Sequence, residues 1–206
     1  MINTNATRLS ETLLGSIPHF GFVLLNLSLD GVGAVNEYIR SGSRWERIDS
    51  NIKKLLASQG NFQIGITPVF QIYNILQIVE LLDYAEELSQ GFHYRPIHVD
   101  FLYATDPEFL DTRILPRRVK ELALERLSEF RKRSNTYSKD RFVKNSIESA
   151  IQLLNHSIDS CDREKVQEFL NYTYLLDSNR KQDFRIEFPE LWKYLSEEGF
   201  YYGRRF

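Results

Sequence analysis

Cysteine is nearly missing from this sequence: Cys161 is the only one in 206 residues. One thiol cannot close an internal disulfide, and it cannot hold a metal cluster by itself. Long apolar runs are missing too. No stretch of about 18 apolar residues exists, so the sequence offers no membrane-spanning helix. Residues 1–10 are polar and carry no apolar signal core. A surplus of charge is also absent. The formal net charge is -2, and it gives no general electrostatic reason for a nucleic-acid or anionic-membrane partner. The four Asn-x-Ser/Thr sequons, at Asn5, Asn26, Asn155 and Asn171, therefore read as chance, and the cytoplasm is the expected compartment. No serine–histidine–aspartate motif, phosphate loop, zinc motif or glycine-rich dinucleotide fingerprint occurs. Repeats and low-complexity segments are missing as well.

What is abundant is aromatic and aliphatic core material, with 14 Phe and 11 Tyr. Its arrangement alternates. Residues 1–5 suit the end of a strand. Residues 8–16, with Leu9, Leu13 and Leu14, suit a short helix stopped by Pro18. The dense apolar run 20–28 predicts a strand buried on both faces. Trp45, Ile48, Ile52, Leu55 and Leu56 follow at helical spacing, with Gly60 as the stop. A second strand is predicted over 62–70, with Pro68 arguing for an edge, a bulge or an early end. A helix then runs from Ile75 to Leu88 and stops near Gly91, and a third strand is predicted over 96–103. This alternation over residues 1–105 predicts βα units and a parallel sheet of about three to four strands. Past Asp106 the character changes. Three amphipathic helices are predicted over 117–132, 140–158 and 162–176, and an aromatic tail over 184–206 is predicted to pack. Residues 106–206 thus form a helical C-terminal region.

In a parallel α/β sheet, ligands gather at the C-terminal ends of the strands. Three such ends carry polar groups. Ser28 and Asp30 lie on one face of an extended chain, followed by Gly31. They suit ribose hydroxyls or an ammonium group, or else they cap the next helix. Arg40 either pairs weakly with Glu37 on a helix surface or folds back to bind a carboxylate. Asn74 stands at a strand-to-helix junction, as an N-cap or as a contact to a ligand edge. His19, His93, His98 and His156 show no metal-ligand spacing, with one another or with Cys161. His98 shares a strand face with Asp100, which could orient its imidazole. The basic residues at 117–118 and 131–133 alternate with Glu121, Glu125 and Glu129 and suit a solvated helix face.

The block running from Leu27-Ser28-Leu29-Asp30-Gly31 to Glu37-Tyr38-Ile39-Arg40 resembles radical S-adenosylmethionine proteins, in particular those with a shortened, twitch-type C-terminal region. Asn3 to Thr7, Trp45 with Asn51 and Ile52, Thr67-Pro68-Val69 with Asn74, Leu176 and Asp177 with Arg180, and Phe188 to Leu191 continue the likeness. The resemblance implies a partial (β/α)6 barrel over 1–105 and a twitch-like region over 106–206. It implies S-adenosylmethionine as cofactor. Ser28 and Asp30 would meet its ribose or methionine portion, Gly31 would allow backbone approach, Arg40 would take its carboxylate, and Asn74 would lie beside the adenosine. The family also needs a CxxxCxxC loop for a 4Fe-4S cluster, and this chain has none. The resemblance therefore implies a fragment or subunit of a radical S-adenosylmethionine enzyme that cannot bind the catalytic cluster alone. It would be completed by an N-terminal half-barrel partner or by self-association, and its substrate, a peptide or small metabolite, is not specified. A non-enzymatic scaffold derived from the family, or an unrelated α/β domain, would show the same block without the chemistry.

Overall fold

The computed structural model describes residues 1–92, 97–135, 137 and 139–203. His93, the predicted strand start at Pro96 and the end of the aromatic tail at Phe206 lie outside them. The chain divides into two compact units, each drawn from several stretches of sequence. The first comprises Met1–Val69, Glu80–Leu102 and Ser134–Ser146. The second comprises Phe70–Val79, Tyr103–Arg133 and Ile147–Phe206.

The first unit is built on a four-stranded parallel sheet. Its strands are β1 (Ile2–Thr4), β2 (Val23–Leu27), β3 (Phe62–Ile66) and β5 (Ile97–Val99), neighbours in sheet and in sequence order. Each crossover is helical: α1 (Glu11–Ser16), then α2 (Ala34–Ile39) and α3 (Trp45–Ala57), then α4 (Ile78–Gly91). An α/β fold with a small parallel sheet is therefore present. Strand β2 is shorter than the apolar run that contains it. It alternates, with Val23, Leu25 and Leu27 buried and Leu24 and Asn26 half-buried. Phe20 and Phe22 are more than half exposed. The expectation of a strand covered on both faces is thus corrected: only one face is fully covered. On that face Leu25 and Leu27 look across a small gap to Ile52 and Leu55 of α3. Helix α3 buries Ile48, Ile52, Leu55 and Leu56, the i, i+4, i+7, i+8 stripe its sequence announces.

Pro68 ends β3 early. The predicted strand 62–70 is two, β3 and the short β4 (Val69–Phe70), because proline offers no N–H to a ladder. The predicted strand up to Tyr103 also splits, into β5 and β6 (Leu102–Tyr103), and β4 and β6 make a separate two-stranded sheet. The helix read from Ile75 starts at Ile78, after a single 3-10 turn at Ile72–Asn74.

The second unit is helical: α5 (Arg117–Arg133), α6 (Arg141–His156, counted from Ile147), α7 (Arg163–Arg180), α8 (Phe184–Glu187) and α9 (Pro189–Glu197). Its core is aromatic. Tyr73 lies with its ring centroid 4.9 Å from Phe169 and 5.8 Å from Phe188. The Tyr73 and Thr173 hydroxyls are 2.7 Å apart. The described part of the tail packs as expected. Asp177 accepts the Phe184 N–H at 2.5 Å and the Tyr202 hydroxyl, closing the tail onto α7.

Lys120 is the exception in this core. It is fully buried, and its Nζ donates to the carbonyls of Ser157 and Ser160 at 2.5 and 2.7 Å. Those carbonyls follow the end of α6, where helical partners run out. Burial pulls the Lys120 pKa down to about 8. An unfolded lysine titrates near 10.4. Between these values the unfolded chain holds a proton that the folded chain has released, so raising the pH favours folding. The Cys161 thiol, pushed up by burial, acts in the opposite direction. Subtracting Lys120→Met from wild type isolates the lysine. The stability difference, by urea titration, is expected to move toward wild type as pH rises from about 8 to 10. A flat difference would refute the assignment.

Candidate functional site

The strand ends of the first unit hold a buried carboxylate paired with an arginine. Past β2 the chain continues through Ser28, whose N–H donates to the Thr4 carbonyl at 2.8 Å, extending the ladder with β1. Asp30 follows, only 3% exposed. Its N–H donates to Asn36 Oδ1 at 3.1 Å. One carboxylate oxygen accepts the Val69 N–H at 2.8 Å, linking the segment after β2 to the start of β4. The other stands 2.8 Å from Arg40 Nε. That contact lacks hydrogen-bond alignment, so it is an ion pair by distance alone.

Arg40 closes α2 with a non-helical backbone, φ -105° and ψ 67°. This turns its side chain away from Glu37, so the weak helix-surface pair does not form. Glu37 instead accepts the Trp45 N–H at 2.5 Å. Of the five residues singled out in the sequence, Asp30 and Arg40 are thus brought into contact, and Ser28 stands two residues before Asp30 on the same strand end. Gly31 has a packing reason for being glycine. A Cβ there would fall 2.5 Å from Val35 Cγ1. Asn74 belongs to the second unit and is fully buried. Its side-chain oxygen accepts the Gln71 N–H at 2.9 Å in a reciprocal capping box, so the N-cap is Gln71 and Asn74 answers it from the third position of the turn, not from the N-cap as expected.

Arg40 lines a polar cavity of about 460 Å³ together with Asn5, Thr7, Arg8, Ser43 and Arg47. Asn5 to Arg8 lead out of β1. Their loop turns at Ala6, at φ 56°, and is pinned where Asn51 of α3 donates to the Ala6 carbonyl at 2.8 Å. Ser43 sits on the turn after Arg40, where Gly42 takes φ 87°, a conformation that costs glycine little. The Ser43 hydroxyl oxygen is buried and has no hydrogen-bond partner among the described residues. Three guanidinium groups, one steadied by a buried carboxylate, and an unsatisfied hydroxyl suit an anion, above all a carboxylate. Arg8, Ser43 and Arg47 escaped sequence reasoning, because each lies on a different loop or helix start and none forms a spaced motif.

On the less covered sheet face the register aligns Asn3, Asn26, Gly65 and His98 in one row across all four strands. Gly65 leaves room for its neighbour, since a Cβ there would meet Asn26 Oδ1 at 2.8 Å. His98 pairs through Nδ1 with Asp140, not with Asp100 as its strand position suggested. Asp100 is exposed.

Among the described residues, no group of three or more His, Cys, Asp or Glu side chains could hold a metal ion. With Cys161 as the sole cysteine, the residues do not fit a 4Fe-4S cluster. Among the described residues, no helix is long and apolar enough to cross a membrane. Comparison with family models, with curated proteins and with solved structures finds no match to this chain.

Proposed function

We propose that the pocket at the ends of β1 and β2 binds the aminocarboxylate end of S-adenosylmethionine, and that the chain is a subunit or fragment of a radical S-adenosylmethionine enzyme. The observation that carries this is Arg40: it is held by buried Asp30 and faces a 460 Å³ cavity shared with Arg8 and Arg47. In this reading Arg40 takes the carboxylate. Asp30 is a positioning residue, because both of its oxygens are already engaged. Ser28 is assigned to the ribose. Gly31 and Asn74 keep their packing and capping duties.

S-adenosylmethionine bound to a reduced 4Fe-4S cluster supplies a carbon radical, and this chain lacks the thiolates for that cluster. The cluster would therefore come from an N-terminal half-barrel partner, since self-association adds only a second Cys161. The same lack of thiolates favours a second reading, a non-enzymatic binding protein that kept the pocket. Anaerobic iron reconstitution of the chain mixed with a candidate partner separates the two. A cluster spectrum from this chain alone would overturn both.

Binding is tested by calorimetry with S-adenosylhomocysteine and with 5′-methylthioadenosine, which lacks the aminocarboxylate. The first is expected to bind at least about tenfold more tightly, a difference of about 1.4 kcal/mol. Arg40→Ala is expected to erase that preference, and Ser28→Ala to weaken both ligands. Equal binding of the two ligands by the wild type, or no binding at millimolar concentration, would remove the reading.

A further inference from the structure

A second cavity of the first unit, about 660 Å³, opens beside the edge strand β5. It shares no lining residue with the arginine pocket, so its ligand is argued independently of S-adenosylmethionine. We infer that this cavity binds a small aromatic anion, held over Phe142 by Lys139 and Arg141 and contacted by the imidazole of His98.

The imidazole is fixed in place. Asp140 uses Oδ1 to accept the Phe142 and Val143 N–H groups at 2.8 and 3.3 Å, capping the start of α6. Its other oxygen takes His98 Nδ1. One carboxylate thus locks the helix start to the ring, and the opposite ring atom, Nε2, is left for a ligand. A histidine oriented through Nδ1 by a carboxylate presents Nε2 in a single direction.

The cavity's walls set the body of the ligand. Ile97 is apolar, and the Phe142 ring lies 5.3 Å from His98, with 37% of the residue exposed. A half-exposed aromatic face beside an imidazole suits a stacked ring. The size falls within the range of small-molecule sites, roughly 300–1,000 Å³.

Charge sets the remaining group. Lys139 and Arg141 line the cavity and are both exposed. Arg141 carries its guanidinium 5.0 Å from the centre of the Phe142 ring. The two carboxylates nearby are engaged. Asp140 is spent on the helix start and the imidazole. Glu86 accepts the Ser134 hydroxyl at 2.7 Å and the Asn135 N–H at 2.9 Å. Among the described lining residues the two cations are the groups left to meet a ligand's charge, so an anionic substituent on an aromatic body is the complementary class.

The probe is 1-anilinonaphthalene-8-sulfonate, compared with uncharged N-phenyl-1-naphthylamine. Fluorescence titration is expected to show saturable binding of the sulfonate, at least tenfold tighter than of the neutral relative. Lys139→Ala/Arg141→Ala is expected to abolish that preference while leaving the circular dichroism spectrum unchanged, since both side chains are exposed. Because the sulfonate also adheres to exposed apolar surface such as Phe20 and Phe22, binding is located by NMR. The His98 ring signals, assigned with His98→Gln, are expected to shift and those of His156 to stay. Equal affinity for the two probes, an unchanged preference in the double variant, or unmoved His98 signals would each overturn the inference.

Discussion

Phe184→Ala is expected to lower the unfolding free energy by about 3–5 kcal/mol, the range for truncating a well-packed phenylalanine. Phe184 has no exposed surface. Its ring centroid lies 5.4 Å from Phe188, 5.6 Å from Phe169, 6.1 Å from Tyr202 and 6.2 Å from Tyr73. Those neighbours come from a 3-10 turn, from α7, from the start of α9 and from the chain end. A collapse that refilled the space would have to move four separate pieces of chain, so the cavity term stays large. Phe184→Leu keeps most of the volume and is expected to cost under about 2 kcal/mol. Urea unfolding monitored by tryptophan fluorescence measures both. A second readout is limited proteolysis, in which the alanine variant is expected to be cut within 182–203 sooner than wild type. A loss below about 1 kcal/mol would show that the ring cluster does not hold the tail.

Asp30→Ala is expected to cost about 3 kcal/mol and to weaken anion binding at the arginine pocket by at least about tenfold. The carboxylate is buried, and its loss strands the Val69 N–H and leaves Arg40 uncompensated. Arg40 keeps 29% of its side-chain surface exposed, so the penalty falls at the lower end for a broken buried pair. Asp30→Asn retains an acceptor for Val69 and is expected to recover part of the stability without the anchoring charge. In the double variant Asp30→Ala/Arg40→Ala the two losses are expected to be less than additive, the signature of a direct pair. Strict additivity would mean that the 2.8 Å contact carries no energy.

Much of this architecture was legible because it is periodic. The stripe Ile48, Ile52, Leu55 and Leu56 gave α3 its buried face. The alternating units gave a parallel sheet, whereas the N-cap expected at Asn74 falls on Gln71, with Asn74 at the third position of the 3-10 turn. What escaped depends on partners distant in sequence. The apolar run 20–28 is hydrophobic enough for a doubly covered strand, but coverage is set by what lies over Leu24 and Asn26, which a linear pattern does not encode. The pairing of His98 with Asp140 spans 42 residues, while Asp100 was the only carboxylate in view on the same strand. Arg40 was placed with Glu37 because residues one turn apart on a helix are neighbours by default. The helix ends at Arg40, and that one non-helical residue redirects the guanidinium toward Asp30.

The interleaving of the two units bears on how the chain reaches its fold. Tyr73 meets Thr173 across 100 residues, and the first unit needs Ser134–Ser146 to finish its share of β5 contacts. A nascent chain that stops at Arg133 can therefore complete neither unit. All four strands of the parallel sheet are present by then, but Ser134–Ser146 and the α7 partner of Tyr73 are still unsynthesised, a long-range contact pattern that slows folding. No single cut releases an intact half. Circular permutation or truncation should be tolerated far less well than in a protein whose domains follow one another along the chain.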